Sequence, residues 1–472
     1  MRKGKKRLLG LVFCFLLAMS TLAYGAQTPS VSAQTAILTE ASTGKVLFEK
    51  DAEAKIYPAS MTKVLTALVA VEYFEPDDVI VVGREINEVS LDSSKAGHVV
   101  GESITFRNLV RGLMIPSGND SAEVVACAVA RKAQNDDSLS VAECQTVFAD
   151  LMNQKAEELG CTGSHFVNAH GYHDDDHYTT AADLAKIGAA AMQVDLIREI
   201  GAEKSYSGNS MESQNHDGLI TNEYHWVSHN LLITSGEYAY PYATGLKTGF
   251  TDEAGDCVLA TAEKDGVQLI AVICKAEDPA RWTDAAALFE YGFENFSFVT
   301  LAAAEDVVSS VGLKGHKSAD GDLLDLKVKE DVTLFLDNET AEAVQAKVTL
   351  TAEDYLYHSK DEAETDVRVK APVEAETELG EVAFVDGDGN VLAQAPVYAA
   401  RSVAKAGIGE RIADGFMTLI GKLFTLQGLI GLVIVVVVIV LLVLILRLRS
   451  GRRYGRNRYH FRSSRGRRGR RF

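Results

Sequence analysis

The sequence predicts an α/β (α+β) domain, with an antiparallel sheet and a helical subdomain, followed by a small all-β sandwich and a C-terminal transmembrane helix. Three observations predict it. The first 300 residues hold a block of helical patterns between strand-forming segments. From about Thr300 the pattern changes to short alternating strands separated by turn residues. Leu423 to Leu446 is a run of 24 residues without a charge, long enough at ~1.5 Å per residue to cross a ~30 Å hydrocarbon core.

The elements follow in order. Basic residues, the apolar run Leu8 to Met19 and then small residues read as a signal peptide over 1–25. Residues 26–299 form the first domain. Within it Ala36 to Glu49 reads as two strands around a Ser-Thr-Gly turn, and a helix follows from about Ser60. "SITFRNLVRGLM", "SAEVVACAVARKA", "VFADLMNQKAEELG" and "TAADLAKIGAAAM" carry helical periodicity. From Thr248 to Lys275 the pattern turns to strands, and "RWTDAAALFEYGFENF" returns to helix. Residues 300–400 form the sandwich. Over 401–422 and into the start of the span, Ile412, Phe416, Leu419 and Leu423 recur at helical spacing, as expected of a juxtamembrane segment lying on a lipid surface. The span covers 423–446, and 447–472 is an arginine-rich tail expected in the cytoplasm by the positive-inside rule.

Charge restricts the function classes. The net charge is −18. Setting aside twelve arginines in the last 26 residues and five basic groups in the first seven leaves a body near −35. A body that acidic repels nucleic acid. The arginine tail reads as a topology signal that also meets anionic headgroups.

The chemistry is concentrated in "YPASMTKVLTALV". Ser60 and Lys63 lie three apart on a helix and share a face. Ser60 stands near the helix start after Pro58, where free N–H groups and the dipole favour negative charge. Serine needs a base to become nucleophilic, and a lysine with a lowered pKa can supply it. Two further motifs follow: Ser117-Gly118-Asn119 after an apolar helix, and Lys247-Thr248-Gly249 before a strand hairpin. Their order is that of penicillin-binding proteins and class A β-lactamases. The texts "GKVLFEKDAEAKIYPASMTKVLTALVA", "LMIPSGNDSAEVVA", "FVNAHGYHDDDHYTTAADLA" and "GLKTGFTDEAG" resemble the serine-type D-alanyl-D-alanine carboxypeptidases, the low-molecular-weight penicillin-binding proteins, over about Ala33 to Phe296.

That resemblance implies a penicillin-binding/β-lactamase-like fold for the first domain and a set of roles. Ser60 attacks the penultimate D-alanine carbonyl and Lys63 takes its proton. Lys247 keeps the site positive, and Thr248 and Arg281 meet the substrate carboxylate. Ser117 relays a proton to the departing D-alanine, and Asn119 holds Lys63 and the peptide. Gly249 lies in the binding strand, and N–H groups of Ser60 and Phe250 form the oxyanion hole. The implied partners are peptidoglycan stem peptides ending in D-Ala-D-Ala, β-lactams and a membrane reached through the C-terminal helix, with no cofactor, no metal and no nucleic acid. The implied location is the bacterial cell membrane, single-pass, with the catalytic domain outside. Competing readings are a β-lactamase, although no Glu-x-x-Leu-Asn lies between Ser117 and Lys247, and a weakly active penicillin-binding sensor or scaffold.

Three features need separate accounts. A second triplet, Ser207-Gly208-Asn209, sits in a polar stretch with no apolar helix before it and is read as coincidental. His165, His170, His173 and His177 suggest a metal, but "GYHDDDHY" has turn rather than helix composition. Finally, the "KDGV" turn makes Lys264 face Val267, and the same register sets Cys257 opposite Cys274, as cross-strand neighbours able to form a disulfide under oxidising conditions.

Overall fold

The computed structural model describes residues 28–212, 217–358, 367–410 and 426–454, with single positions between 411 and 425. The signal segment, part of the juxtamembrane segment between 411 and 422, and the arginine tail beyond Tyr454 lie outside the described residues. The chain divides into two compact units, one of 1–299 with 334–342 and one of the remainder.

The first unit is built on a five-stranded antiparallel sheet. Its strands are β1 (Thr35–Glu40), β2 (Val46–Lys50), β3 (Ala243–Thr251), β4 (Gly255–Lys264) and β5 (Val267–Ala276), in the order β2-β1-β5-β4-β3. β4 and β5 read as continuous apolar runs because both faces are covered. Alternate residues divide between two cores. Ile37, Leu259, Ile270 and Val272 face the helical block. Leu38, Val258, Ala260, Ala271 and Ile273 face Trp282, Leu288 and Phe289 of the helix Ala280–Asn295. The helical block contains α1 (Thr62–Ala70), α2 (Phe106–Met114), α3 (Asn119–Gln134), α4 (Val141–Glu158) and α5 (Ala181–Met192). α1 is mostly apolar, and all nine of its residues, the polar Thr62, Lys63 and Thr66 among them, are buried, as in a helix surrounded by others. Polar caps set the starts of its neighbours. Thr105 accepts from Asn108 N–H ahead of α2, Ser140 and Glu143 form a capping box on α4, and Thr180 accepts from Asp183 N–H at α5.

The β4–β5 hairpin departs from the expected register at one point. Lys264 pairs with Val267 and the register runs as expected to Val258–Ile273, but Asp256 then faces Ala276. Lys275, at φ +54, is the extra residue of a bulge. Its N–H donates to Cys257 Sγ at 3.4 Å. Cys257 and Cys274 remain side-chain neighbours, but both are free thiols, fully buried. No disulfide joins them.

The segment Leu334–Glu342 belongs to the first unit, although its sequence lies among the strands expected of the second. Phe335 explains this. Its ring lies 6.0 Å from Phe296 and 4.9 Å from Phe298, its carbonyl accepts from Lys45 Nζ, and it is 5% exposed. The second unit is all-β. Its strands link in one seven-membered hydrogen-bonded order, antiparallel except for Val307–Lys314 beside Val367–Lys370. One apolar cluster, including Leu324, Val369, Val382, Phe384 and Val397, fills it. At the C-terminus a single helix, Leu426–Tyr454, contains a window, Ile430–Arg447, with mean hydropathy 3.4 and no buried residue. It is long and apolar enough to cross a membrane.

Candidate active site

Ser60 lies in a short 3-10 turn, Ala59–Met61, that leads directly into α1, so the helix begins two residues later than expected. The turn is held from two sides. Ala59 has φ +46. A Cβ on Gly171 (φ +80) would stand 1.8 Å from Ala59 O, and one on Gly249 would stand 2.9 Å from Pro58 O. Only glycine lets the loop after His170 and strand β3 approach the serine this closely.

Lys63 is 0% exposed and has three neighbours. Its Nζ lies 2.8 Å from Ser60 Oγ, 2.7 Å from Asn119 Oδ1 and 2.9 Å from the His170 carbonyl. Burial pushes its pKa well below the usual lysine value, the Lys247 charge adds to this, and Asp120 opposes it. Asp120 is itself 3% exposed. Its carboxylate accepts from the N–H groups of Ala96, Gly97 and His98 at 2.7, 2.8 and 3.2 Å, in the first turn of α3, where the dipole favours an anion.

Ser117 and Asn119 come from the α2–α3 connection. Ser117 has φ +62, Gly118 is the cap and Asn119 the first residue of α3. Lys247, Thr248 and Gly249 lie inside β3, the strand just before the β4–β5 hairpin, as expected. β3 is the sheet edge, so one row of its backbone N–H and C=O groups is left for an extended peptide. Lys247 is 2% exposed, and its one partner among the described residues is the Thr248 carbonyl, 3.1 Å away. Burial lowers its pKa to about 7.

Ser60, Ser117, Asn119, Thr248, Gly249, Phe250 and Arg281 line one cleft of about 570 Å³. Phe250 is exposed at its rim. Arg281 is held by Asp256 at 2.7 Å and Asp278 at 3.4 Å. The second triplet lies elsewhere, on the ribbon Ser205–Asn209 with Glu223–Val227, where Ser207 Oγ bonds the His225 ring.

The histidine stretch is a brace. His177 Nδ1 accepts from Val167 N–H at 3.1 Å, which leaves Nε2–H to meet Thr62 Oγ1 at 2.8 Å. Burial holds its pKa down to about 3, so the ring is neutral. His170 contributes its carbonyl to Lys63 while its ring meets Glu123 at 3.2 Å. Sequence reading missed Asp120, Asp256, the His170 carbonyl and a cleft-lining histidine, His229. Only for Asp120 is there a local signal, the acid directly after Ser117-Gly118-Asn119.

Comparison with known proteins agrees with this geometry. The D-alanyl-D-alanine carboxypeptidase family pattern matches residues 23–278, more than half of the chain. The chain belongs to the D-alanyl-D-alanine carboxypeptidase family. The pattern of the penicillin-binding protein 5 C-terminal domain matches residues 296–405. Among similar proteins, D-alanyl-D-alanine carboxypeptidase DacF of Bacillus subtilis is 28% identical, over 79% of this chain and 87% of the relative. DacD of Escherichia coli is 27% identical, over 84% and 94%. The Streptomyces K15 DD-transpeptidase structure superposes with a TM-score of 0.51 at 27% identity, covering 57% of this chain and 99% of that one. Penicillin binding protein 5 from Haemophilus influenzae shares the fold, with a TM-score of 0.56 at 22% identity over 81% of this chain.

Proposed function

We propose that this protein is a serine-type D-alanyl-D-alanine carboxypeptidase that removes the terminal D-alanine from peptidoglycan stem pentapeptides through an acyl-enzyme on Ser60, and that penicillins acylate the same oxygen. The observation that carries this is the set of partners around Lys63. Two of them, Asn119 Oδ1 and the His170 carbonyl, only accept hydrogen bonds. A neutral amine has two hydrogens and one lone pair. The hydrogens go to these two acceptors, and the lone pair faces Ser60 Oγ at 2.8 Å. Ser60 is thus the one neighbour that can give Lys63 a proton, and burial favours the neutral amine that receives it.

The steps follow. Ser60 loses its proton to Lys63 as it attacks the penultimate D-alanine carbonyl. The developing oxyanion meets the Ser60 N–H at the start of the helical turn and the Phe250 N–H on the edge strand. Ser117, across the cleft, passes a proton to the leaving D-alanine nitrogen and takes in its place the proton that Lys63 gained from Ser60, which returns Lys63 to the neutral amine. Thr248, Lys247 and Arg281 receive the terminal carboxylate. Water then hydrolyses the ester with Lys63 again as base. The enzyme is exported by the signal segment 1–25, anchored by the helix within 423–446 and oriented with residues 26–400 outside and the arginine tail in the cytoplasm.

Incubation of the detergent-solubilised full chain with a D-Ala-D-Ala-terminated pentapeptide tests the reading. Steady release of D-alanine is expected. A penicillin-labelled protein that releases none would be the sensor or scaffold, and rapid repeated hydrolysis of penicillin would make it a β-lactamase.

A further inference from the structure

Among the described residues, His229 is the one basic group lining the cleft that has no hydrogen-bond or ion-pair partner. It lies between the ribbon strand Glu223–Val227 and β3, on a segment fixed by its neighbours. Ser228 Oγ accepts from Asn230 N–H at 3.2 Å, and Asn230 Oδ1 accepts from Leu232 N–H at 3.1 Å. Asn230 is 2% exposed. The His229 ring lines the cleft with Ser60, Thr248 and Arg281, is open to solvent, and makes no hydrogen bond or ion pair among the described residues. His98, His165, His170 and His177 are each held by the protein. A ring with no bond to keep has no structural duty that its position explains.

The charges that act on this ring are Lys247, Arg281 and Lys63, all positive, while the carboxylates that line the same cleft, Asp92, Asp252 and Glu253, make no ion pair with it. Partial burial of the ring against the cleft wall pushes its pKa below the ordinary histidine value, and the three positive charges add to this. The neutral ring is therefore favoured in the free enzyme. The other cations differ in how far they are already satisfied. Arg281 is compensated by Asp256 and Asp278. Lys247 donates to a single carbonyl. A carboxylate entering here supplies the counter-charge that His229 lacks, and linkage then draws a proton onto the ring.

We propose that His229 is a substrate-carboxylate contact that takes up one proton as the terminal D-alanine carboxylate settles beside Lys247 and Arg281, so that acid strengthens substrate capture without entering the acyl-transfer step. The inference rests on the carboxypeptidase reading. The sign follows from the linkage. The ring pKa is lowered in the free enzyme and rises in the complex. The contribution to binding is complete below the free value and is lost as pH rises through the bound value. A rise of one pKa unit on binding corresponds to about tenfold in affinity.

The test is KM and kcat for D-alanine release by the detergent-solubilised full chain from pH 5 to 8.5, comparing wild type with His229→Gln and His229→Arg. His229→Gln should raise KM about fivefold at pH 5.5 and less than about twofold at pH 8.5, while kcat stays within about twofold. His229→Arg, a permanent cation, should keep KM low across the range. Calorimetry in buffers of different ionisation enthalpy, with a D-Ala-D-Ala peptide bound to Ser60→Ala, should show a proton uptake at pH 6.5 that His229→Gln reduces. Parallel KM profiles in wild type and His229→Gln, or a loss confined to kcat, would overturn the proposal. Absence of D-alanine release from wild type would instead overturn the carboxypeptidase reading itself.

Discussion

The site holds two buried lysines, one at the serine end and one on the edge strand, and they differ in how they are satisfied. Lys63 is enclosed by three oxygen partners within 2.9 Å. Lys247 is almost as buried but has a single carbonyl at 3.1 Å. An ammonium carries three donors, so Lys247 keeps donors unused where water is scarce. The difference teaches what each end is for. A base must be fixed against its proton donor before substrate arrives, so its partners come from the protein. An anion receptor must be left incomplete, so its missing partner is the ligand.

Substitutions that exchange these demands break or sharpen the comparison. The largest effect is expected at the closed end. Lys63→Met should slow penicillin acylation about 10³-fold, the scale of a positioned proton-transfer group, with little change in prior binding. Lys247→Met should act chiefly on capture, raising KM for the pentapeptide by roughly 30–100-fold through loss of a charge-assisted contact. If Lys247→Met lowered kcat as much as Lys63→Met does, the division of labour would be wrong. Ser117→Ala should lower turnover at least ~10²-fold, and Ser207→Ala, on its ribbon away from the cleft, should be near neutral.

A smaller effect tests the scaffold of the closed end. Gly171→Ala must move the loop or the Ala59 carbonyl, because the added Cβ would stand 1.8 Å from it. Melting should fall by roughly 5 °C, and acylation should slow through displacement of Ser60. Gly160→Ala, at a similar φ of +73 but with nothing within 4 Å, should carry only the backbone strain and leave acylation unchanged. Equal acylation rates in the two variants would show that the turn does not depend on close approach.

Much of this cleft was legible in the sequence, and the boundary of legibility has a physical cause. Ser60 and Lys63 are one helical turn apart, and Lys247, Thr248 and Gly249 are consecutive, so local pattern carried them. The hairpin register was legible from the Asp265-Gly266 turn as far as Val258–Ile273. It failed at Lys275 because a bulge depends on what packs across the sheet. Asp256 reaches Arg281, and Asp120 reaches back to the 96–98 loop. Neither partnership leaves a mark in the intervening residues. Phe335 joined the first unit for the same reason, since its alternation matched the strands around it while its ring found Phe296 and Phe298. The histidine stretch was read correctly as a turn, but the carbonyl of His170, which carries no side-chain identity, could not be read as a partner of Lys63.

The pH profile gives the smallest and most discriminating effect. Lys63 must be neutral to act as base, so kcat/KM should rise through its lowered pKa on the acid side. Lys247 must be charged to receive the carboxylate, so kcat/KM should decline above about pH 7. A bound carboxylate raises the Lys247 pKa, so the alkaline limb of kcat should lie higher than that of kcat/KM. Coincident alkaline limbs would mean that Lys247 does not meet the carboxylate.

The central claim is that one oxygen, Ser60 Oγ, is activated by Lys63 for acyl transfer. Its most direct test is to react the detergent-solubilised full chain with a penicillin, digest it and locate the adduct by mass spectrometry. The adduct is expected on the peptide containing Ser60 and is expected to be absent from Ser60→Ala. An adduct on Ser117 or Ser207, or one that persists in Ser60→Ala, would contradict the assignment.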